Sequence, residues 1–292
     1  VWRDAVDGAG RTPGGTGRTN EARAPARTED HDPERERDAA ARIARAERAE
    51  EEWVLVEEIR DEAEGAVARG GRAGSRARSS APASDLAEEV RLELARAVGN
   101  ARTERVERRL REAADDFEHE RFGDAARILK KLSDEAPTVA AVRELHGLTL
   151  YRQGKWRAAA KELEAFRLLA DSVDQHPVLA DCYRALHQWG TVDALWEELG
   201  SVSPNAETVT EGRIVVAGAR ADRGELVAAI RLLEQGWRFP KNPRPYHLRR
   251  AYALADLYER AGELPKARDL FGRIAAVEPG FADVTDRLRT LR

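Results

Sequence analysis

The stretch Val142 to Ala165, VRELHGLTLYRQGKWRAAAKELEA, constrains what this chain can fold into more than any other. Apolar residues keep helical spacing on both sides of one break: Leu145, Leu148 and Tyr151 precede Gly154, and Trp156, Ala159, Leu163 and Phe166 follow it. The spacing predicts two short helices joined by a glycine turn. A helical hairpin of that size cannot bury its apolar face alone, so it requires neighbours of its own kind.

Such neighbours occur on both sides. A small residue recurs at Ala113, Gly147, Ala180, Ala217 and Ala255, at intervals of 34, 33, 37 and 38 residues. In the same register Ala125, Ala159, Val192, Ala229 and Ala267 mark a second crossing point, followed four residues later by Leu129, Leu163, Trp196, Leu233 and Phe271. Pro137, Pro204 and Pro279 stop three of the second helices. Gly154, Gly224 and Gly262 supply turns, and Tyr183 and Tyr258 repeat an aromatic. From roughly Arg105 to Gly280 this pattern resembles the tetratricopeptide repeat (TPR) family, most strongly in the last hairpin, YALADLYERAGELPKARDLFGRIAAVEPG. The first unit lacks the turn glycine, and the fourth has Arg220 in the aromatic's place and Gly236 where the family favours Ala. The resemblance implies an all-α fold: an α-solenoid of about five TPR-like hairpins stacked in a short right-handed arc. Phe281 to Leu291, with Val284, Leu288 and Leu291 on one stripe, is the expected C-terminal capping helix. One continuous apolar seam should run through the stack, with Trp196 and Phe271 inside it.

Ahead of the repeats the composition changes twice. The expected organisation is a largely disordered, low-complexity tail over 1–84, carrying a helix at about 34–65, and a repeat domain over 85–292. Up to Pro33 there is almost nothing to bury. Gly8 to Thr19 imitates a phosphate loop, but Thr12 stands where the first glycine belongs, Arg18 replaces the lysine, and no strand precedes it. Between Pro33 and Gly65 the helix formers Ala, Glu and Arg take over, with Trp53, Val56, Ile59 and Ala63 on one face. Within it EEWVLVEEI, Glu51 to Ile59, reads either as a helix packed loosely on the body or on nothing, or as a docking motif, for another protein or for this chain's own groove. Gly65 to Ser84 is a linker by composition, and its Arg69, Arg72, Arg76 and Arg78 could touch RNA phosphates. Asp85 with Glu88 has the form of a capping box; Leu86, Val90, Leu92 and Leu94 supply a stripe, Gly99 closes that helix, and Thr103 is placed to cap the next.

Composition removes several classes of function. With 49 Lys+Arg against 53 Asp+Glu and a net charge of −4, no global field favours nucleic acid or a membrane. The single cysteine, Cys182, forms no internal disulfide framework or thiolate zinc site and reads as a small buried residue. No signal-peptide core or membrane-length apolar run occurs, so a soluble, cytoplasmic, reducing setting is expected. The six histidines fall at no ligand spacing, and neither HExxH nor GxSxG is present. No catalytic residue, metal site or cofactor is therefore expected. The Arg and Ala bias suits a GC-rich bacterial genome, and a start at Val1 without any Met suits a GTG start read literally or a fragment.

In TPR proteins the first helices of successive hairpins line a concave groove. Projected onto this chain, the inner wall carries Glu144, Tyr151, Arg152, Asp181, Arg184, Ile214, Arg249, Tyr252, Asp256, Glu259 and Arg260. Both signs of charge are present, unlike the uniformly basic clamp some members use, and the face reads either as a partner site or as a solvated, internally ion-paired surface. A second candidate is Gly236 to Arg250, where Arg238, Lys241, Arg244 and Arg250 alternate with Trp237, Phe239 and Tyr246. It reads as a patch for phosphates or acidic peptides, or as a stiff connector whose aromatics tuck between hairpins. The function expected is a non-enzymatic scaffold binding a partner peptide or helix in the groove; the alternative is an RNA-associated adaptor using the Arg-Gly linker and the basic connector.

Overall fold

Inside each hairpin the chain reverses through one left-handed residue: Glu120 (φ 58°), Gly154 (69°), His187 (60°), Gly224 (83°) and Gly262 (77°). These follow one another at the same intervals as the small residues. The computed structural model describes residues 55–68 and 83–291, the side chains of 83–87 apart, all within one unit, Glu47–Arg292. The tail, the phosphate-loop imitation, Trp53, the linker arginines and the Asp85 cap lie outside the described residues.

Among the described residues every regular element is a helix. α1 covers 55–68, and α2 covers Ala83–Val98. Five hairpins follow: α3 (Asn100–Glu118) with α4 (Phe122–Glu135), α5 (Ala140–Arg152) with α6 (Trp156–Ala170), α7 (His176–Ala185) with α8 (Trp189–Val202), α9 (Ala206–Asp222) with α10 (Leu226–Glu234), and α11 (Pro245–Arg260) with α12 (Leu264–Val277). α13 (Val284–Thr290) closes the series. Each first helix packs on its own second helix and on the next first helix, and each second helix packs on the first helix that follows. That alternation is the paired packing of a tetratricopeptide-type array.

The crossings explain the small residues. A Cβ on Gly147 would stand 2.7 Å from Cγ of Leu163, and Ala113, Ala180, Ala217 and Ala255 are at most 3% exposed. Leu129, Leu163, Leu233 and Phe271 fill the spaces between, each worth about 1.5–3 kcal/mol of burial. Trp196 departs from the expected pattern. In α8 the buried stripe is Val192, Leu195 and Leu199, and Trp196 is only half-buried, with the Arg213 guanidinium 5.7 Å above its ring. In α2 the buried face is Leu94 and Val98, whereas Leu92 points outward at 47% exposed because it lies half a turn from them. Gly99, not Thr103, is the N-cap of α3; the Thr103 hydroxyl donates back to Gly99 O within the helix.

The apolar seam is not continuous. One cluster joins α2 to the start of α5, a second runs from the end of α5 to α13, and a buried polar group stands where they divide. Arg143 Nη1 lies 2.7 Å from Glu162 Oε2, and His146 Nδ1 is 2.9 Å from Ser133 Oγ and 3.5 Å from the same carboxylate. Burial alone would raise the Glu162 carboxyl, but the His146 hydrogen bond and the charges of Arg143 and His146 outweigh it and hold it at about 2.

α1 completes this arrangement. Val56, Ile59, Ala63 and Ala66 are buried at helical spacing, Glu58 and Glu62 pair with Arg157 of α6, and Glu62 also pairs with Lys161. Arg60 lies 3.5 Å from Glu164 and Arg143 donates to Ala66 O. The docking of α1 in a groove of first helices is thereby corrected: its partner is chiefly α6, a second helix, where basic side chains meet its acidic edge. Gly65 does not end it; the helix continues to residue 68, which brings Ala66 beneath Arg143.

Two outcomes follow for stability. Gly147→Val should destabilise by about 1–3 kcal/mol through overpacking against Leu163, whereas Gly200→Ala, in α8 with nothing within 4 Å of the added methyl, should stabilise by roughly 0.5–1 kcal/mol; urea unfolding of both variants checks the contrast. A carboxyl held low in the fold stabilises above its unfolded value and loses that contribution as pH falls through the folded one, so Glu162 should shed stability between its ordinary 4.5 and about 2. Glu162→Gln should flatten the melting temperature in that window and, by stranding Arg143, cost about 3–5 kcal/mol at neutral pH.

Candidate functional site

The first helices present their exposed stripes on one face, and there Asp181 meets two other projected groove residues while most of the rest meet partners outside the projection. Tyr151 of α5 donates its hydroxyl to Asp181 of α7 at 2.7 Å, and Gln175, just ahead of α7, donates to Glu144 at 2.9 Å. Arg184 of α7 holds Asp181 at 3.2 Å and reaches Asp222 at the end of α9 at 2.7 Å. Arg249 of α11 pairs with Glu207 and Glu211 of α9, at 2.9 and 2.6 Å. At the ends, Arg152 pairs with Glu120 and covers the Phe122 ring, and Arg260 donates to Ala221 O. Tyr252 donates to Asp283, while Asp256 and Glu259 both hold Arg287 of α13. Ile214 is half-buried against the core. Apart from Arg184 with Asp181, which are three residues apart in α7, the face is thus a ladder of contacts from one hairpin to the next, the partners about one repeat away in the chain.

Local sequence explains the ladder. Stripes at i, i+3 and i+4 on α7 and α9 face one another once the small residues bring the helices together. Burial, then the charge and hydrogen bond of Asp181, push the Tyr151 hydroxyl up, so it remains a donor throughout the neutral range. Hydrogen bonds that Arg287 donates to Glu259 and Asp283 raise it well above its ordinary value, fixing the capping helix on α11.

Between the rungs lies a cleft of about 260 Å³. Pro177, Val178 and Val215 give it an apolar floor; Asp174, Asp181, Glu207 and Glu211 rim it, Asp181 held by Arg184 and the two glutamates by Arg249. Of the projected residues the cleft takes in Tyr151 and Asp181, with Glu144, Arg184 and Arg249 held by its rim. The Tyr252 to Arg260 group gathers separately around Arg287. The reading from spacing missed Gln175, Val178, Thr208, Glu211 and Val215, although Thr208, Glu211 and Val215 form one helical stripe beside Ile214. A larger hollow, about 650 Å³, lies along α12 between Leu264 and Leu291, on a second helix and away from this face.

The basic connector behaves differently. Trp237 and Phe239 are half-buried against the core with centroids 6.3 Å apart, and Tyr246 stacks on His247 at 4.1 Å. Arg238, Lys241 and Arg244 are exposed, and Arg250 is half-buried over Trp237. Cys182 is fully buried among apolar neighbours, which pushes its thiol up. No helix of the described residues is long and apolar enough to cross a membrane.

No protein-family model matches this chain, and no curated protein matches it. Among solved structures it is similar to the crystal structure of TTC0263, a thermophilic TPR protein in Thermus thermophilus, at 19% identity over 64% of this chain and 98% of that one, with a TM-score of 0.48.

The rungs are half-exposed, so each should contribute little alone. Arg249→Ala should lower unfolding stability by less than about 1 kcal/mol, and a double-mutant cycle with Glu211→Ala measures the coupling.

Proposed function

We propose that this chain is a non-enzymatic protein-interaction module whose first-helix face takes a segment of a partner, centred on the cleft between α5, α7 and α9. The observation that carries this reading is the cleft itself: an apolar floor with an acidic rim, reached from three consecutive hairpins. Its size argues against a substrate or cofactor pocket. At about 260 Å³ it falls below the roughly 300–1,000 Å³ usual for small molecules and suits one or two side chains of a peptide. An aliphatic stem ending in a cation matches the floor and, at the rim, Asp174, which unlike Asp181, Glu207 and Glu211 carries no arginine among the described residues, so the favoured segment carries Lys or Arg beside an apolar residue. Glu144, Arg152, Arg184, Ile214, Arg249, Tyr252, Asp256, Glu259 and Arg260 extend the contact surface along the ladder.

Panning a random peptide library on the full chain tests this. Recovered peptides should be enriched in Lys or Arg next to aliphatic residues, and Thr208→Trp, which fills the cleft from the start of α9, should weaken them roughly tenfold or more. Peptides without that bias, or binding that Thr208→Trp leaves unchanged, would overturn the reading. Partner capture lost on nuclease treatment would favour the RNA adaptor instead.

A further inference from the structure

α10 ends between two arginines. Arg213 of α9 donates Nη1 to Leu232 O and Gln235 O, at 3.4 and 3.1 Å; Arg250 of α11 donates Nε and Nη2 to Leu233 O, and Nη2 to Gln235 O at 2.8 Å. Two guanidiniums therefore converge on one carbonyl. A helix C-terminus accounts for part of this, since it carries roughly half a negative charge, but two full positive charges exceed it. No carboxylate pairs with either arginine among the described residues, whereas Arg152, Arg184 and Arg249 on the first-helix face each have one.

The surroundings add positive charge and rigidity. Arg238, Lys241 and Arg244 stand exposed within the same connector, without an ion pair among the described residues. Arg213 lies over Trp196 at 5.7 Å and Arg250 over Trp237 at 5.0 Å, so both forks are held in fixed planes. The electrostatics agree with the geometry: burial, then the charge of Arg213, lowers Arg250 to about 10, and burial with Arg244 and Arg250 lowers His247.

We propose that Arg213 and Arg250, with Arg238, Lys241 and Arg244, form an anion-binding corner that takes successive carboxylates of an acidic protein segment. Arg250 spends its Nε and Nη2 on the end of α10 and Arg213 its Nη1, which leaves Nη1 of Arg250 and Nε and Nη2 of Arg213 to donate to a carboxylate beside the exposed cations of the connector. RNA fits less well, because the local rings are already engaged by one another and by the arginines, leaving little platform for base stacking. This corner is separate from the acidic cleft and opposite to it in charge, so the two sites would select different sequences.

Fluorescence anisotropy of the full chain with a labelled oligoglutamate peptide, and in parallel a labelled oligouridylate, tests the assignment at low salt. The exposed triple substitution Arg238→Ala, Lys241→Ala, Arg244→Ala should melt as the parent does and weaken oligoglutamate roughly tenfold or more. Lys130→Ala with Lys131→Ala on α4, and Thr208→Trp in the cleft, should leave it unchanged. Absent binding, a parent-like triple variant, an equal loss from the Lys130 and Lys131 changes, or tighter oligouridylate than oligoglutamate would each overturn the proposal. The unchanged Thr208→Trp result keeps failure here distinct from failure of the peptide cleft.

Discussion

Where α5 crosses α6 there is no room for a side chain on the first helix, because Leu163 already occupies the place a Cβ at position 147 would take. The same closeness recurs at the buried alanines of the other four hairpins. Helices that approach this nearly leave only a short reversal between them, which a left-handed residue provides. They also bring neighbouring first helices within reach of one another's polar side chains. Turn, core and ladder all descend from the tolerance for a missing or minimal side chain at one position per repeat.

Much of this was legible in the amino-acid pattern, and the failures have physical causes. Gly154, Gly224 and Gly262 announce the turns because glycine adopts positive φ without cost. Glu120 and His187 do the same work without the signal, since a fold can impose a left-handed conformation on a residue that does not favour it. Trp196 misleads because a large ring suggests burial; the α8 stripe turns on Leu195 and Leu199, and the indole lies at its edge. The break in the apolar seam is hidden because Arg143, His146 and Glu162 look like surface residues until α4, α5 and α6 enclose them together.

The candidate site was legible in part. Helical spacing named Tyr151 and Asp181, which meet across α5 and α7, but it did not give the polar partners that most of the other projected residues take from neighbouring hairpins. That pairing depends on the rotation of each helix relative to the next, which no single hairpin encodes. It leaves the cleft's character to residues between the rungs, Val178, Val215 and Glu211 among them. At the connector the aromatics tuck inward as a stiff linker requires, yet the cations they flank have no ion pair among the described residues. Arg213 entered that group only through space, from a different hairpin.

Most of the stitching between helices joins residues within about one repeat of each other, but α1 reaches across 99 residues from Glu58 to Arg157. Loop closure over such a distance is entropically slower to achieve than local pairing. During synthesis α1 leaves the ribosome long before its seat exists, and it waits until α6 has emerged and folded. The hairpins can assemble in sequence as they appear, whereas a helix made ahead of all of them finds its place only after the second hairpin has formed.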